Sequence, residues 1–158
     1  MDHSLKTGLS FGLTSATITT LGLMVGLDSG THSKKVVIGG ILVIAIADAF
    51  SDALGIHISE EAKNESTTKS IWKATIATFF SKFVFALSFI VPVLFFELSK
   101  AIVVSVVYGM VLLGLISYYI ARWGKVEPWK VIAEHVFIAL AVIIISRYVG
   151  IWINWLFG

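Results

Sequence analysis

The chain has 158 residues, of which 57% are hydrophobic and 14% are charged. Soluble domains carry about 25% charged residues, so this composition indicates a membrane protein. A formal net charge of +2, without a dense cluster of Lys and Arg, argues against nucleic acid as a partner. The absence of cysteine excludes disulfides, thiolate metal sites and cysteine nucleophiles, which leaves oxygen and imidazole groups as metal ligands.

Five apolar stretches dominate the sequence, and each is close to the ~20 residues that a helix needs to cross the hydrocarbon of a bilayer. They cover residues 8–27, 36–58, 74–96, 101–121 and 131–157. Lipid cannot satisfy free backbone groups, so each stretch is predicted to be a helix, and none alternates with the period of two of a membrane barrel strand. The chain is therefore predicted to be an all-α polytopic membrane protein, a single domain that forms a bundle of five transmembrane helices.

Basic residues between the spans predict the orientation of the bundle. With a cytoplasmic N-terminus, seven basic residues face the cytoplasm: Lys6, Lys63, Lys69, Lys73, Arg122, Lys125 and Lys130. Three face the opposite side: Lys34, Lys35 and Lys100. This excess predicts that the N-terminus is cytoplasmic, and the expected location is the cell (inner) membrane.

The first span carries a stripe of small residues. At 100° per residue, four glycines fall within about 40° of one line along the helix, namely Gly8, Gly12, Gly22 and Gly26. Ser15 and Thr19 lie on the same stripe. Small residues let helices approach closely in lipid, which fits either ordinary helix packing or the seam of a homodimer that also lines a polar path.

Two aspartates in the second span are the leading candidates for chemistry. Asp48 and Asp52 are four residues apart and share one helix face. Carboxylates at this depth are costly and repel each other, so the pair needs a bound cation, a proton as in a proton relay, or an internal ion pair. Lys82 in the third span lies at a similar depth and is the candidate charge partner. Two hard oxygen ligands with hydroxyls nearby would suit a divalent cation.

A second cluster lies where the second span reaches the predicted cytoplasmic side. Its members are His57, Glu60, Glu61 and Glu65, and His57 and Glu61 have the i, i+4 spacing that is common among metal ligands. The cluster predicts either a solvated helix end or a first binding site for a cation that enters from the cytoplasm. The sequence contains no phosphate-binding glycine loop, no G-x-S-x-G and no H-E-x-x-H, so neither an enzyme activity nor a cofactor is predicted.

The first span also resembles a known family. Residues 11–26 read FGLTSATITTLGLMVG, which is similar to the first-span signature of the vacuolar iron transporter family, FG-x-N/S-D-G-L-V-S/T-T-L-G-L-V-x-G. The matching positions are Phe11, Gly12, Thr19, Thr20, Leu21, Gly22, Leu23 and Gly26. In the second span, IADAFSDALGIHIS resembles the family's A-G-A-L-S-M-A-A-G-E-Y-V-S at Ala47, Ser51, Ala53, Gly55 and Ser59. Pro92 in the third span and RYVGIWI in the last extend the likeness over nearly the whole chain.

The resemblance implies a homodimer that exports ferrous iron, or a similar divalent metal such as manganese, from the cytoplasm in exchange for protons. It also implies an ion path along the dimer interface, lined by the first span. The chain departs from the family pattern, because Ser15 stands at the family's first-span Asp, Asp52 at its second-span Met and Ile56 at its second-span Glu. The family's longer, carboxylate-rich cytoplasmic insertion is absent, and residues 60–73 stand in its place. We therefore expect Asp48 and Asp52 to be the core metal ligands, with Ser15 and Thr19 facing them.

Two alternatives to metal export stay open at this point. One is a non-transporting membrane scaffold or regulatory protein of the same fold, and the other is a proton-coupled transporter of another solute. A dry contact between Lys82 and either aspartate would favour the scaffold. An open polar cavity that reaches both aspartates would favour transport.

Overall fold

The computed structural model describes residues 3–63 and 66–158, and every regular element within these ranges is a helix. The helices are α1 (His3–Thr31), α2 (Lys34–Glu61), α3 (Thr68–Ser88), α4 (Ile90–Phe95), α5 (Leu98–Gly124) and α6 (Pro128–Phe157). With α3 and α4 taken as one span, the described residues form five segments long and apolar enough to cross a membrane. The prediction of an all-α protein with five spans is confirmed.

Each of the five spans starts before the apolar stretch that predicted it. Helix α2 starts at Lys34, where the Ser33 side chain caps it by accepting a hydrogen bond from the Val36 N–H, and it ends at Glu61. Its 28 residues span about 42 Å at 1.5 Å per residue, which matches a bilayer with its headgroups rather than the hydrocarbon alone. The apolar stretch therefore marks only the part of the helix that lies in hydrocarbon.

The third span is broken near its end, which the sequence analysis did not predict. Pro92 has no N–H, and its ring excludes the carbonyl oxygen four residues earlier, so α3 ends at Ser88 and α4 starts at Ile90. The backbone N–H of Phe89 donates instead to the Ala86 carbonyl at 3.2 Å. Lys34 closes the far end of the short helix, since its Nζ donates to the Phe96 carbonyl at 3.0 Å.

Helix α1 is the central element and packs against α2, α3, α5 and α6. Its glycine stripe serves these contacts. A Cβ at Gly12 would lie 2.8 Å from the Thr78 carbonyl oxygen of α3, and a Cβ at Gly22 would lie 2.6 Å from Cγ1 of Val142 in α6. A Cβ at Gly8 would collide with the Ala74 carbonyl of α3. The predicted dimer seam therefore cannot use Gly8, Gly12 or Gly22, because these glycines are already buried against helices of the same chain.

Different contacts mark the two ends of the bundle. Lys6 lies over the Trp123 ring, 5.7 Å from its centroid, at the end where α1 begins and α5 finishes. The opposite end of α1 meets α6, where a Cβ at Gly150 would lie 3.0 Å from the Gly30 nitrogen. Which end faces the cytoplasm stays a prediction.

Candidate cation site

Three helices place a charged cluster in the middle of the bundle. Asp48 is the fifteenth of the 28 residues of α2, and Lys82 is the fifteenth of the 28 residues from Thr68 to Phe95. These two spans run in opposite directions, so their midpoints lie at the same depth. The i, i+4 spacing of Asp48 and Asp52 then turns both carboxylates to the face that meets α1 and α3.

Lys82 holds both carboxylates. Its Nζ lies 2.6 Å from Oδ2 of Asp48 and also forms an ion pair and hydrogen bond with Oδ2 of Asp52. Its third polar contact is a hydrogen bond of 2.8 Å that it donates to the Ser15 hydroxyl of α1. The predicted charge partner thus contacts both aspartates rather than one.

The two hydroxyls predicted to face the aspartates do so. Ser15 donates to Oδ2 of Asp52 at 2.8 Å. The Thr19 hydroxyl lies 3.0 Å from Oδ2 of Asp48 and 2.9 Å from the Ser15 carbonyl, so its single proton serves one acceptor at a time. Ser15, Thr19, Asp48, Asp52 and Lys82 form what we call the central cluster.

The charges of the central cluster do not balance. Two ionised carboxylates carry two negative charges, and Lys82 supplies one positive charge. No second cation pairs with these carboxylates among residues 3–63 and 66–158. At the depth of a bilayer centre an uncompensated charge is expensive, so the central cluster favours the uptake of one more positive charge, from a proton or a metal.

The Lys82 side chain is buried, whereas the two aspartate side chains are partly exposed. The Lys82 side chain is 1% exposed, and the side chains of Asp48 and Asp52 are 25% and 20% exposed. Asp48 opens onto a groove of about 600 Å³ between α1 and α2, in which Ser51 is the other polar residue. The remaining lining is aliphatic, glycine or alanine, so this groove is not the polar cavity to both aspartates that transport would favour most directly.

The residues predicted to form a first binding site at the end of α2 are not brought together. His57 turns to α3, with Nδ1 3.0 Å from the Thr75 hydroxyl and its ring edge-on to Trp72. Glu60 is buried beside Ser66 and pairs with Lys63, while Glu61 is exposed. Glu65 lies outside the described residues, and the part of the chain that is described holds no group of three His, Asp or Glu placed for a metal.

Two histidines, His57 and His135, each contact a hydroxyl of a neighbouring helix, and the sequence analysis did not predict these contacts. In α6, Nδ1 of His135 lies 2.8 Å from the Ser117 hydroxyl, which itself donates to the Leu113 carbonyl at 2.6 Å. The Thr75 hydroxyl beside His57 likewise donates to the Ile71 carbonyl, at 2.8 Å. Each hydroxyl therefore lies between Nδ1 of a histidine and a carbonyl oxygen one turn earlier in its own helix. Only the four-residue spacing of each hydroxyl from its carbonyl is visible in sequence.

Comparison with known proteins adds no relative: neither a protein-family model nor a curated protein matches this chain. The likeness of its first span to the vacuolar iron transporters therefore stays a prediction.

Proposed function

We propose that this chain exports a divalent metal cation, ferrous iron or manganese, from the cytoplasm across the inner membrane in exchange for protons. The observation that carries the proposal is the unbalanced, partly exposed pair of carboxylates at the middle of the bundle. A scaffold gains nothing from an excess negative charge at that depth, whereas a cation carrier requires one.

The donor set of the central cluster suits a hard cation. Asp48 and Asp52 offer carboxylate oxygens, and Ser15 and Thr19 offer hydroxyl oxygens, which are the ligands that hard divalent ions prefer. In the observed arrangement the Lys82 ammonium lies against the same carboxylate oxygens and acts as an internal competitor.

The charge balance of the central cluster supports a coupling to protons. A divalent cation neutralises two carboxylates by itself, so the Lys82 ammonium would have to move away from their oxygens when the metal binds. Once the metal leaves on the far side, the carboxylates again carry an excess negative charge that a proton from that side can balance. Outward metal and inward proton movement would then alternate at a single cluster.

The proposal includes a homodimer. We place its interface on a different face of α1 from the buried glycines. The least covered face of α1 carries Phe11, Ser15, Thr19 and Leu23, of which Phe11 is 41% exposed. A second subunit against this face would cover the central cluster and enclose the path of the cation.

A scaffold or regulatory protein is the second candidate, and the burial of Lys82 favours it. Lys82 makes three short polar contacts and is 1% exposed, which is the dry contact expected of a permanent ion pair. A proton-coupled carrier of another solute would use the same aspartates for protons alone.

Metal flux into liposomes separates these functions. We expect the purified chain to move Fe²⁺ or Mn²⁺ in the direction opposite to the proton flow of an imposed gradient. Asp52→Asn should abolish this flux, because the amide keeps the shape and removes the charge. Asp28→Asn, at the far end of α1, is the matched control and should retain full flux.

The results of these flux measurements distinguish metal export from a scaffold and from a carrier of another solute. Equal metal flux in Asp52→Asn and wild type, at matched protein levels, would remove Asp52 from the mechanism. If none of a panel of divalent ions is transported, the scaffold is favoured. Proton movement that depends on Asp52 but not on added metal would favour the carrier of another solute.

A further inference from the structure

A groove of about 480 Å³ runs between α1 and α3, on the side of α3 away from the central cluster's carboxylates. Leu5 and Leu9 form its α1 wall, and Ile76 and Phe80 form its α3 wall. The floor consists of Ala77 and Ser81, which are 7% and 8% exposed.

The groove exists because α1 and α3 approach closely at its floor. Gly8 and Gly12 contact the α3 backbone and Ser81 directly, so the larger side chains on either side stand apart as walls. The walls are apolar and open sideways, in the direction of the surrounding lipid.

Polar and apolar residues are ordered along the groove. Lys69, Lys73, Ile76 and Phe80 fall within about 60° on α3, with the two lysines at the start of the helix and the apolar pair deeper. Trp72 lies between the lysines, at the level where tryptophan marks a membrane interface. Lys69 to Phe80 covers about 16 Å at 1.5 Å per residue, close to half of the ~30 Å hydrocarbon thickness.

We propose that this groove binds one anionic phospholipid, with its phosphate beside Lys69 and Lys73 and an acyl chain along Leu9, Ile76 and Phe80. An apolar groove one leaflet deep fits an acyl chain, and two ammonium groups at its mouth select a negatively charged headgroup. A second copy of this chain is a poorer occupant, since it would bring like-charged lysines together at the mouth.

Quenching of Trp72 fluorescence tests the proposal. In a variant with the other four tryptophans changed to Phe, Trp72 reports contact with lipids that carry brominated acyl chains. The probes are brominated phosphatidylglycerol and brominated phosphatidylcholine, each diluted into phosphatidylcholine vesicles that contain the full chain. We expect phosphatidylglycerol to bind beside Trp72 about fivefold more tightly for each lysine that contacts it.

Charge variants and a second reporter locate the site. Lys69→Gln and Lys73→Gln should each lower the preference for phosphatidylglycerol about fivefold, whereas Lys130→Gln, on α6 at the same end of the bundle, should leave it unchanged. Trp72 also lines a neighbouring groove towards α2, so a Leu9→Trp reporter in a chain without other tryptophans should give the same result for this groove alone.

Three results would overturn the proposal. Equal quenching by the two lipids would mean that the groove holds lipid without selecting its charge. An equal loss in Lys130→Gln would mean a general attraction of the basic surface. Absence of quenching by either lipid, together with an Ile76→Cys cross-link between two chains, would assign the groove to a subunit interface.

Discussion

At the scale of single residues, Lys82 determines how the central cluster behaves. It contacts both carboxylates and the Ser15 hydroxyl while it is almost fully buried. Its position at the depth of the aspartates could be read from sequence, because residue counts along a helix give depth directly. That it reaches both aspartates at once depends on the rotation of α3, which residue counting does not provide.

Replacing Lys82 with Met should destabilise the fold by about 3 kcal/mol, because it leaves two largely buried carboxylates without their partner. The measurement is unfolding of the purified protein in detergent. The triple variant Asp48→Asn, Asp52→Asn, Lys82→Met should recover most of this stability, since the loss arises from unpaired charge rather than from shape. A Lys82→Met protein as stable as wild type would show that protons or bound cations already balance the carboxylates.

At the scale of elements, the glycine stripe of α1 contacts two different helices along its length. Its first half packs on α3 through Gly8 and Gly12, and its second half packs on α6 through Gly22 and Gly26. The sequence predicted that these glycines share a face, because the helical period is fixed. It could not predict which helix covers that face, and the same stripe fits a neighbour in the chain or in another subunit. The break before Pro92 was missed because apolar composition continues across it.

Glycine substitutions should distinguish positions where two helices cross closely from positions with open space beside them. Gly12→Ala places a methyl group against the Thr78 carbonyl and Ser81, so we expect a loss of about 1–3 kcal/mol in unfolding free energy. Gly114→Ala in α5 meets no atom within 4 Å and should leave stability unchanged or raise it by up to about 1 kcal/mol. Equal stability of the two variants in detergent would contradict the packing described for α1 and α3.

At the scale of the whole molecule, the number of spans and their approximate positions followed from composition, whereas the helix ends did not. Five stretches of apolar residues leave a soluble fold no way to bury them, so the architecture was predictable without knowledge of any contact. The arrangement around α1 was not predictable, since lipid-facing and buried faces are equally apolar. Helix α6 illustrates this, because its buried residues are only Ala139 and Gly150 although it has a very apolar sequence.

The orientation can be tested with single cysteines, because the natural sequence contains none. We expect a membrane-impermeant maleimide to label Lys35→Cys and Lys100→Cys in intact cells. Glu61→Cys and Lys130→Cys should react only after the membrane is permeabilised, since the seven basic residues at that end predict that it is cytoplasmic. Labelling of both sets from outside would mean that the chain inserts in both orientations.

The close crossings of α1 also determine which sequence changes this chain can accumulate. On faces turned to lipid, one aliphatic side chain replaces another at little cost, because both meet hydrocarbon. Where Gly30 and Gly150 cross, an added methyl group would meet backbone atoms, and the neighbouring helix would have to move. Random variation should therefore spread over the lipid-facing surface and spare the crossings. Distant descendants of this chain would then share the spacing of small residues in their first span long after most other positions had diverged.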